Sequence, residues 1–462
     1  MSLPYWILLA LVVVASIAPW EPLSRIRRPL FAPFLWLWNK LSQATRILLS
    51  LIIGLLIGTA AARFAPDHAL DAAKYTDLVG HAWMHGLQMV IVPLIVGLLV
   101  TGVGATAQAA RAGRITAVAI GSFVVILWIN TIMSAFVVPL LLKLWPLSDS
   151  LAQSLRHSLL GAKPVGAPPS LFDFFDTVVP SNVVSAAASD AYLPLTIFAL
   201  ALAFAITRLE ASQRKLLTDV IKAFTDAMII IIGWVLKLAP IGVFALAYGV
   251  GAKTGVAAIG ALLHYIIIVS SIGFIVLLSA YPVAMLYGRV SPLRFARAAA
   301  PAQAMAISTQ SSLATLPAML AASEKLGASP ATSGIVLPIA VAIFRATSPA
   351  MNLAVALYVA HLLGVPIGPG QLVFGICTAA ITTMGSISLP GTISYIASVA
   401  PVAAAMNVPL EPLGLLIAVE TIPDLFRTVG NVTMDIAVTL GVARRSGSGA
   451  DSSEEVRPVV LD

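Results

Sequence analysis

Glu420-Thr-Ile-Pro-Asp424-Leu-Phe-Arg427-Thr428-Val-Gly-Asn431-Val-Thr-Met-Asp435 is the stretch on which the reading of this chain turns. It lies in an apolar run of about 412–443, yet it carries three acidic groups and a guanidinium. Residues 420, 424, 427, 431 and 435 are spaced four, three, four and four apart, which places them on one stripe of a helix. An ionised side chain at the centre of a bilayer costs at least ~2.5–3.5 kcal/mol. Four on one stripe must therefore face protein or a water-filled cavity. A purely structural ion-pair network is the plainer reading, but desolvated pairs stabilise weakly, so a binding role explains the stripe better.

The rest of the chain supplies the membrane. Charged residues make up 10% of the 462 positions, where a soluble domain carries about a quarter. Apolar residues reach 59%, mean hydropathy is +0.97, and the runs 86–110, 115–142, 254–288 and 346–410 hold no Lys, Arg, Asp or Glu. About 20 apolar residues cross a bilayer, so the chain is an all-α multi-pass membrane protein. The net charge of +7 is not a nucleic-acid signal, because the basic residues sit in short links such as Arg25–Arg28, Arg111/Arg114, Arg208–Lys215 and Arg289–Arg297. Placing these links in the cytoplasm makes successive spans alternate. Spans are expected near 44–64, 84–104, 115–144, 191–207, 222–251 and 257–287. Residues 146–190 are expected as an external loop, and 444–462 as a disordered cytoplasmic tail. Residues 4–20 precede their first positive cluster, so they read as a retained helix with its N-terminus outside rather than a cleaved leader. Residues 33–41 read as an interfacial aromatic segment. Domain boundaries are expected at 1–43, 44–145, 146–190, 191–296, 297–443 and 444–462.

After residue 297 the regularity breaks. A polar knot, Ser308-Thr309-Gln310-Ser311-Ser312, interrupts 298–323, and a second, Thr382 to Thr392, interrupts 371–408. Between them a span near 329–362 is broken at Arg345-Ala346-Thr347-Ser348-Pro349. Irregular backbone survives at membrane depth only where protein or water satisfies it. Two apolar hairpins flanking a broken helix are the layout of a secondary carrier's substrate site. A guanidinium fork matches a carboxylate, and Asp424 could hold an ammonium group. Together they suit acidic amino acids. Six His and one Cys form no metal-spaced cluster, and His85, His264 and His361 read as packing or interface residues. Neither an enzyme nor a cofactor or metal protein is expected.

Several segments resemble the dicarboxylate/amino acid:cation symporters, the glutamate transporter family, over about 44–445. They are Val179-Pro180-Ser181-Asn182, Leu238-Ala239-Pro240-Ile241-Gly242-Val243-Phe244, Ser311-Ser312-Leu313-Ala314-Thr315-Leu316-Pro317, Ser388-Leu389-Pro390-Gly391 and the 424–435 stretch. The resemblance implies eight transmembrane helices plus two re-entrant hairpins, a homotrimer, and an elevator-type motion of a transport domain in the cell membrane. The residues at 4–20 would be an additional helix. By motif position Arg427 would take the substrate side-chain carboxylate and Asp424 its amino group. Thr428 and Asn431 would support the main-chain groups, and the hairpin tips Ser311, Ser312, Ser388, Pro390 and Gly391 would close over them. Dicarboxylate-specific members lack an Asp at the place of Asp424, which favours aspartate or glutamate over a C4-dicarboxylate. A non-transporting sensor or an anion channel on the same fold is the remaining alternative.

One segment departs from the family. Where sodium-dependent members carry Asn-Met-Asp-Gly-Thr, this chain carries Phe344-Arg345-Ala346-Thr347-Ser348, and the third-helix hydroxyls fall on Phe123, Ile126 and Leu127. Hard cations need several oxygens, so sodium coupling is not expected. Arg345 is expected to neutralise Asp435 in place of a bound cation, the alternatives being that it snorkels to a watery surface or binds the substrate carboxylate. Glu420 is expected either as the proton carrier or as a structural residue at the helix end.

Overall fold

The computed structural model describes residues 41–110, 113–147, 179–189, 192–254, 257–385 and 391–446. The expectations for 4–20, for nearly all of 33–41, for most of the 146–190 loop, for Ser388 and Pro390, and for most of the tail lie outside these residues.

All regular structure among the described residues is helical. In chain order the helices are α1 (Gln43–Phe64), α2 (Pro66–Gln88), α3 (Ile91–Ala110), α4 (Arg114–Leu144), α5 (Val183–Ala188), α6 (Tyr192–Arg208), α7 (Ala211–Lys237), α8 (Ala239–Thr254) and α9 (Ala257–Leu286). The second half adds α10 (Pro292–Thr309), α11 (Ser312–Lys325), α12 (Pro330–Ile343), α13 (Ser348–Leu363), α14 (Pro369–Gly385), α15 (Gly391–Ala405), α16 (Leu413–Leu416) and α17 (Thr421–Arg445). Five stretches among the described residues are long and apolar enough to cross a membrane, or six if one bent pair counts as a span. The protein is therefore an all-helical, multi-pass membrane protein.

Three expectations are corrected. Residues 222–251 are not one straight helix, because α7 and α8 meet at Leu238 with a bend of 56°. Pro240 explains the break: it lacks an N–H donor and its ring clashes with the preceding turn of a continuous helix. The span expected at 84–104 is preceded by helix from Pro66 onward, so a candidate crossing runs Pro66–Thr101. Its first turns carry Asp67, Asp71 and Lys74, too polar for a hydropathy reading to include, and Lys74 pairs with Asp71 at 2.9 Å. Finally, the last helix starts at Thr421 rather than 412, after the short α16. Glu420 is its N-cap residue, not part of the helical stripe.

Packing arranges the helices in two groups. In the first, α8 lies against α1 and α2. The α1–α8 contact depends on hydrogen in place of a side chain. A Cβ on Gly54 would lie 2.7 Å from the Phe244 carbonyl, one on Gly251 would lie 2.7 Å from that of Leu55, and one on Gly58 would collide with that of Tyr248. Small residues spaced four apart are how membrane helices approach this closely. In the second group α17 is central, contacting α4, α9, α10, α11 and α12.

The two irregularities inside this second group are built by capping. At the predicted knot 308–312, Gln310 takes a left-handed conformation (φ 50°) after α10, and Ser311 caps α11 by accepting from the Ala314 amide at 3.2 Å. At the predicted break, residues 344–347 separate α12 from α13. Its backbone groups are met by side chains: Asn130 Nδ2 donates to the Ala346 carbonyl (3.0 Å) and Ser134 Oγ to that of Ala350 (2.7 Å). The Thr347 amide donates to Asn431 Oδ1 at 2.8 Å. A broken helix in hydrocarbon requires such replacements, since no water is there to supply them.

Candidate functional site

The first turns of α17 run past the break, and that geometry concentrates the charges. Arg427 is buried, and three of its nitrogens are engaged. Nη2 pairs with Glu420 Oε1 at 2.9 Å, Nη1 donates to Asn352 Oδ1 at 3.0 Å, and Nε lies 3.5 Å from Asp424 Oδ1. The other Glu420 oxygen accepts from the Tyr265 hydroxyl at 2.8 Å, and that hydroxyl is 3.3 Å from the hydroxyl of Tyr395. Ser398 Oγ donates to Asn352 Oδ1 at 3.4 Å. The cluster thus joins α9 (Tyr265), α13 (Asn352), α15 (Tyr395, Ser398) and α17. Arg345, at the break, is in electrostatic range of both Asp424 and Arg427.

Glu420, Asp424 and Arg427 therefore meet, as the spacing predicts, although Glu420 reaches Arg427 from a cap position. Thr428 turns its hydroxyl back to the Asp424 carbonyl at 3.0 Å. Asn431 commits its side-chain oxygen to Thr347, from both the amide and Oγ1, each at 2.8 Å. Ser311 and Ser312 are half-buried at the α10–α11 turn and make no hydrogen bond to Asp424, Arg427, Thr428 or Asn431. Gly391 opens α15, while Ser388 and Pro390 lie outside the described residues. Tyr265, Tyr395, Asn352 and Ser398 are absent from the sequence reading. An Asn and a Ser in the charge-free run 346–410 were the available signal, since uncharged polar groups in such a run need partners too.

The expected Arg345–Asp435 tether is not formed. Both Asp435 oxygens are buried without a hydrogen-bond partner, and no ion pair reaches them. The reason is placement: Asp435 lies two turns beyond Arg427, whereas the break presents Arg345 to the Asp424–Arg427 end of the helix. Close by in sequence, Phe344 stacks on Phe123 with centroids 4.3 Å apart and planes at 12°, and both rings are fully buried. Two of the five positions where oxygen ligands would be sought thus form one aromatic pair, with Leu127 and Ala346 also fully buried. Among the described residues no cluster of His, Cys, Asp or Glu could hold a metal ion.

A buried, internally paired arginine beside a broken helix, in a bundle of apolar helices, is the arrangement of a secondary carrier for a small charged solute. The chain matches the Sodium:dicarboxylate symporter family over residues 44–445 and belongs to that family. It is 24% identical over 421 residues to the proton/glutamate-aspartate symporter of Escherichia coli, covering 88% of this chain and 93% of that protein. It is 25% identical over 408 residues to the C4-dicarboxylate transport protein of Deinococcus radiodurans, covering 87% and 89%. It is 27% identical over 412 residues to the neutral amino acid transporter A of Bos taurus, covering 78% and 74%. The protein is a membrane transporter of the symporter type, not an enzyme, and resides in the cell membrane.

Proposed function

We propose that this protein carries acidic amino acids, aspartate or glutamate, by secondary active transport that does not depend on sodium. The observation behind the proposal is the Arg427 fork with Asp424 beside it, one buried cation for a carboxylate and one carboxylate for an ammonium. The stacked Phe123–Phe344 pair and the apolar Ala346 support sodium independence, because they offer no side-chain oxygen to a hard cation. Protons, or the substrate gradient alone, would then drive movement. The E. coli relative's name, a proton/glutamate-aspartate symporter, agrees with this.

In this reading the chain has the full family architecture of eight spans and two re-entrant hairpins, with an additional helix within 1–43. Residues 297–443 form a transport core that moves as an elevator in each protomer of a homotrimer. Substrate sits between the tips of the two hairpins, held by Ser311, Ser312, Ser388, Pro390, Gly391, Asp424, Arg427, Thr428 and Asn431. Carriage of a C4-dicarboxylate is the second reading, favoured by the Deinococcus relative's name. Uptake of radiolabelled aspartate and succinate into proteoliposomes, with sodium and pH gradients imposed separately, tests both. Aspartate uptake indifferent to sodium is the expected result. Asp424→Ala should abolish aspartate uptake if the first reading holds and hardly affect succinate uptake if the second does.

A further inference from the structure

Each of the three nitrogens of the Arg427 guanidinium already holds a partner, which occupies three of its five N–H groups. Of its three types of nitrogen, Nη2 faces Glu420, Nη1 faces Asn352 and Nε faces Asp424. A bidentate carboxylate needs two adjacent N–H groups of the fork, and the ligand that can be exchanged is Glu420, itself a carboxylate bound where the substrate carboxylate would bind. Charge sets the condition for that exchange. Glu420 and Asp424 contribute two negative charges, and Arg427 and Arg345 two positive ones, so the cluster is neutral as it stands. An acidic amino acid brings a net charge of −1, and an uncompensated charge at membrane depth is costly.

We infer that Glu420 is a proton-released plug of the Arg427 site: substrate binds when a proton, taken up on Glu420 Oε1, detaches that oxygen from Arg427 Nη2 and leaves the fork to the substrate carboxylate. This rests on the carrier reading above and adds the residue and the rule of exchange. The proton ends on Glu420, the substrate carboxylate replaces Glu420 on the guanidinium, and the filled cluster is again neutral. One proton therefore accompanies each acidic amino acid. The groups facing Glu420 are Tyr265 from α9, Tyr395 from α15, and Asp424 and Arg427 from α17, with Tyr358 of α13 behind Tyr265 at 5.2 Å between ring centroids; Arg345 acts from the break on Asp424 and Arg427. Tyr265 can keep donating to Oε2 after Oε1 is protonated, which holds the released carboxyl in place. Through Tyr395 the same hydroxyl chain reaches α15.

Binding and protonation are reciprocal, which gives a direct readout. Calorimetric titration of the full-length protein in nanodiscs with aspartate, and separately with succinate, in two buffers of different ionisation enthalpy counts the protons taken up per ligand. The wild type should take up about one proton per aspartate in alkaline buffer, with affinity falling about tenfold per pH unit there. Glu420→Gln keeps an acceptor for Arg427 and Tyr265, so it should bind with one proton fewer and with affinity independent of pH. Glu420→Asp keeps a titrating carboxyl and should restore the uptake. Wild-type binding of aspartate without proton uptake would overturn the inference, as would a Glu420→Gln protein with undiminished uptake. If only succinate binds, the substrate reading fails, but the one-proton difference between wild type and Glu420→Gln still decides the role of Glu420. Binding of neither ligand overturns both.

Discussion

Glu420 and Asp435 stand at opposite ends of the same polar stretch, and both are buried acids, yet their surroundings differ completely. Glu420 receives a guanidinium and a phenol, one on each oxygen. Asp435 receives nothing on either oxygen. The difference teaches that sequence spacing places charges on a helix face without saying which of them are partnered. Around Glu420, four helices converge with hydroxyls and amides. Asp435 is fully buried and no side chain pairs with it. One end of the stretch is partnered from four helices, and the other carries a carboxylate with no partner.

The largest test of this contrast is Arg427→Cys. Removing one member of a buried pair leaves Glu420 and Asp424 uncompensated, a cost of roughly 3–5 kcal/mol, so acidic-substrate affinity should fall by more than about a hundredfold. Unchanged aspartate affinity in a binding titration would remove Arg427 from the site. Next is Gly430→Ala, between the two acids. The added methyl would collide with Thr347 Cγ2, and overpacking of this kind costs about 1–3 kcal/mol. A thermal unfolding scan should show a lowered midpoint, together with weakened substrate binding; an unaltered midpoint would mean that the break can recede from α17. Thr347→Val is smaller. It removes the hydroxyl that donates to Asn431 Oδ1 and to the Arg427 carbonyl, while the Thr347 amide keeps one bond to Asn431. A loss of about 1 kcal/mol is expected, read in the same scan. The smallest effect is predicted for Asp435→Asn, which replaces a carboxylate that holds no partner with an amide of the same shape. Aspartate affinity should change less than about threefold, since no charge pair is lost, and it should stay indifferent to sodium. A collapse of binding here, with Glu420→Gln intact, would reverse the roles assigned to the two ends.

Much of this arrangement is legible in the chain itself. The 420–435 spacing foretells the meeting of Asp424 and Arg427, and the Ser-rich knot at 308–312 foretells the α10–α11 turn, because polar residues inside an apolar run have few alternatives to a turn or a site. The same logic marks the 345–349 break. Other features had no such signal. Tyr265 and Tyr395 read as ordinary apolar residues until the fold points their hydroxyls at one carboxylate. The bend at Leu238 was hidden by an apolar run that continues through Pro240. Arg345 was expected beside Asp435 because sequence order says that the break faces α17 without fixing the height at which they meet, and three turns of helix, about 16 Å, separate Asp424 from Asp435.

The aromatic pair has a consequence for how such a carrier could change over generations. Phe123 and Phe344 come from helices far apart in the chain but share one stacked contact, and removing a buried Phe ring costs about 3–5 kcal/mol. Regaining oxygen ligands at these positions would require both rings and Ala346 to be replaced together, because each single step would leave a hole in a packed core without yet making a cation site. On the proposed sodium-independent reading, the stack would act as an evolutionary ratchet, because truncating either ring alone costs stability before any cation site exists.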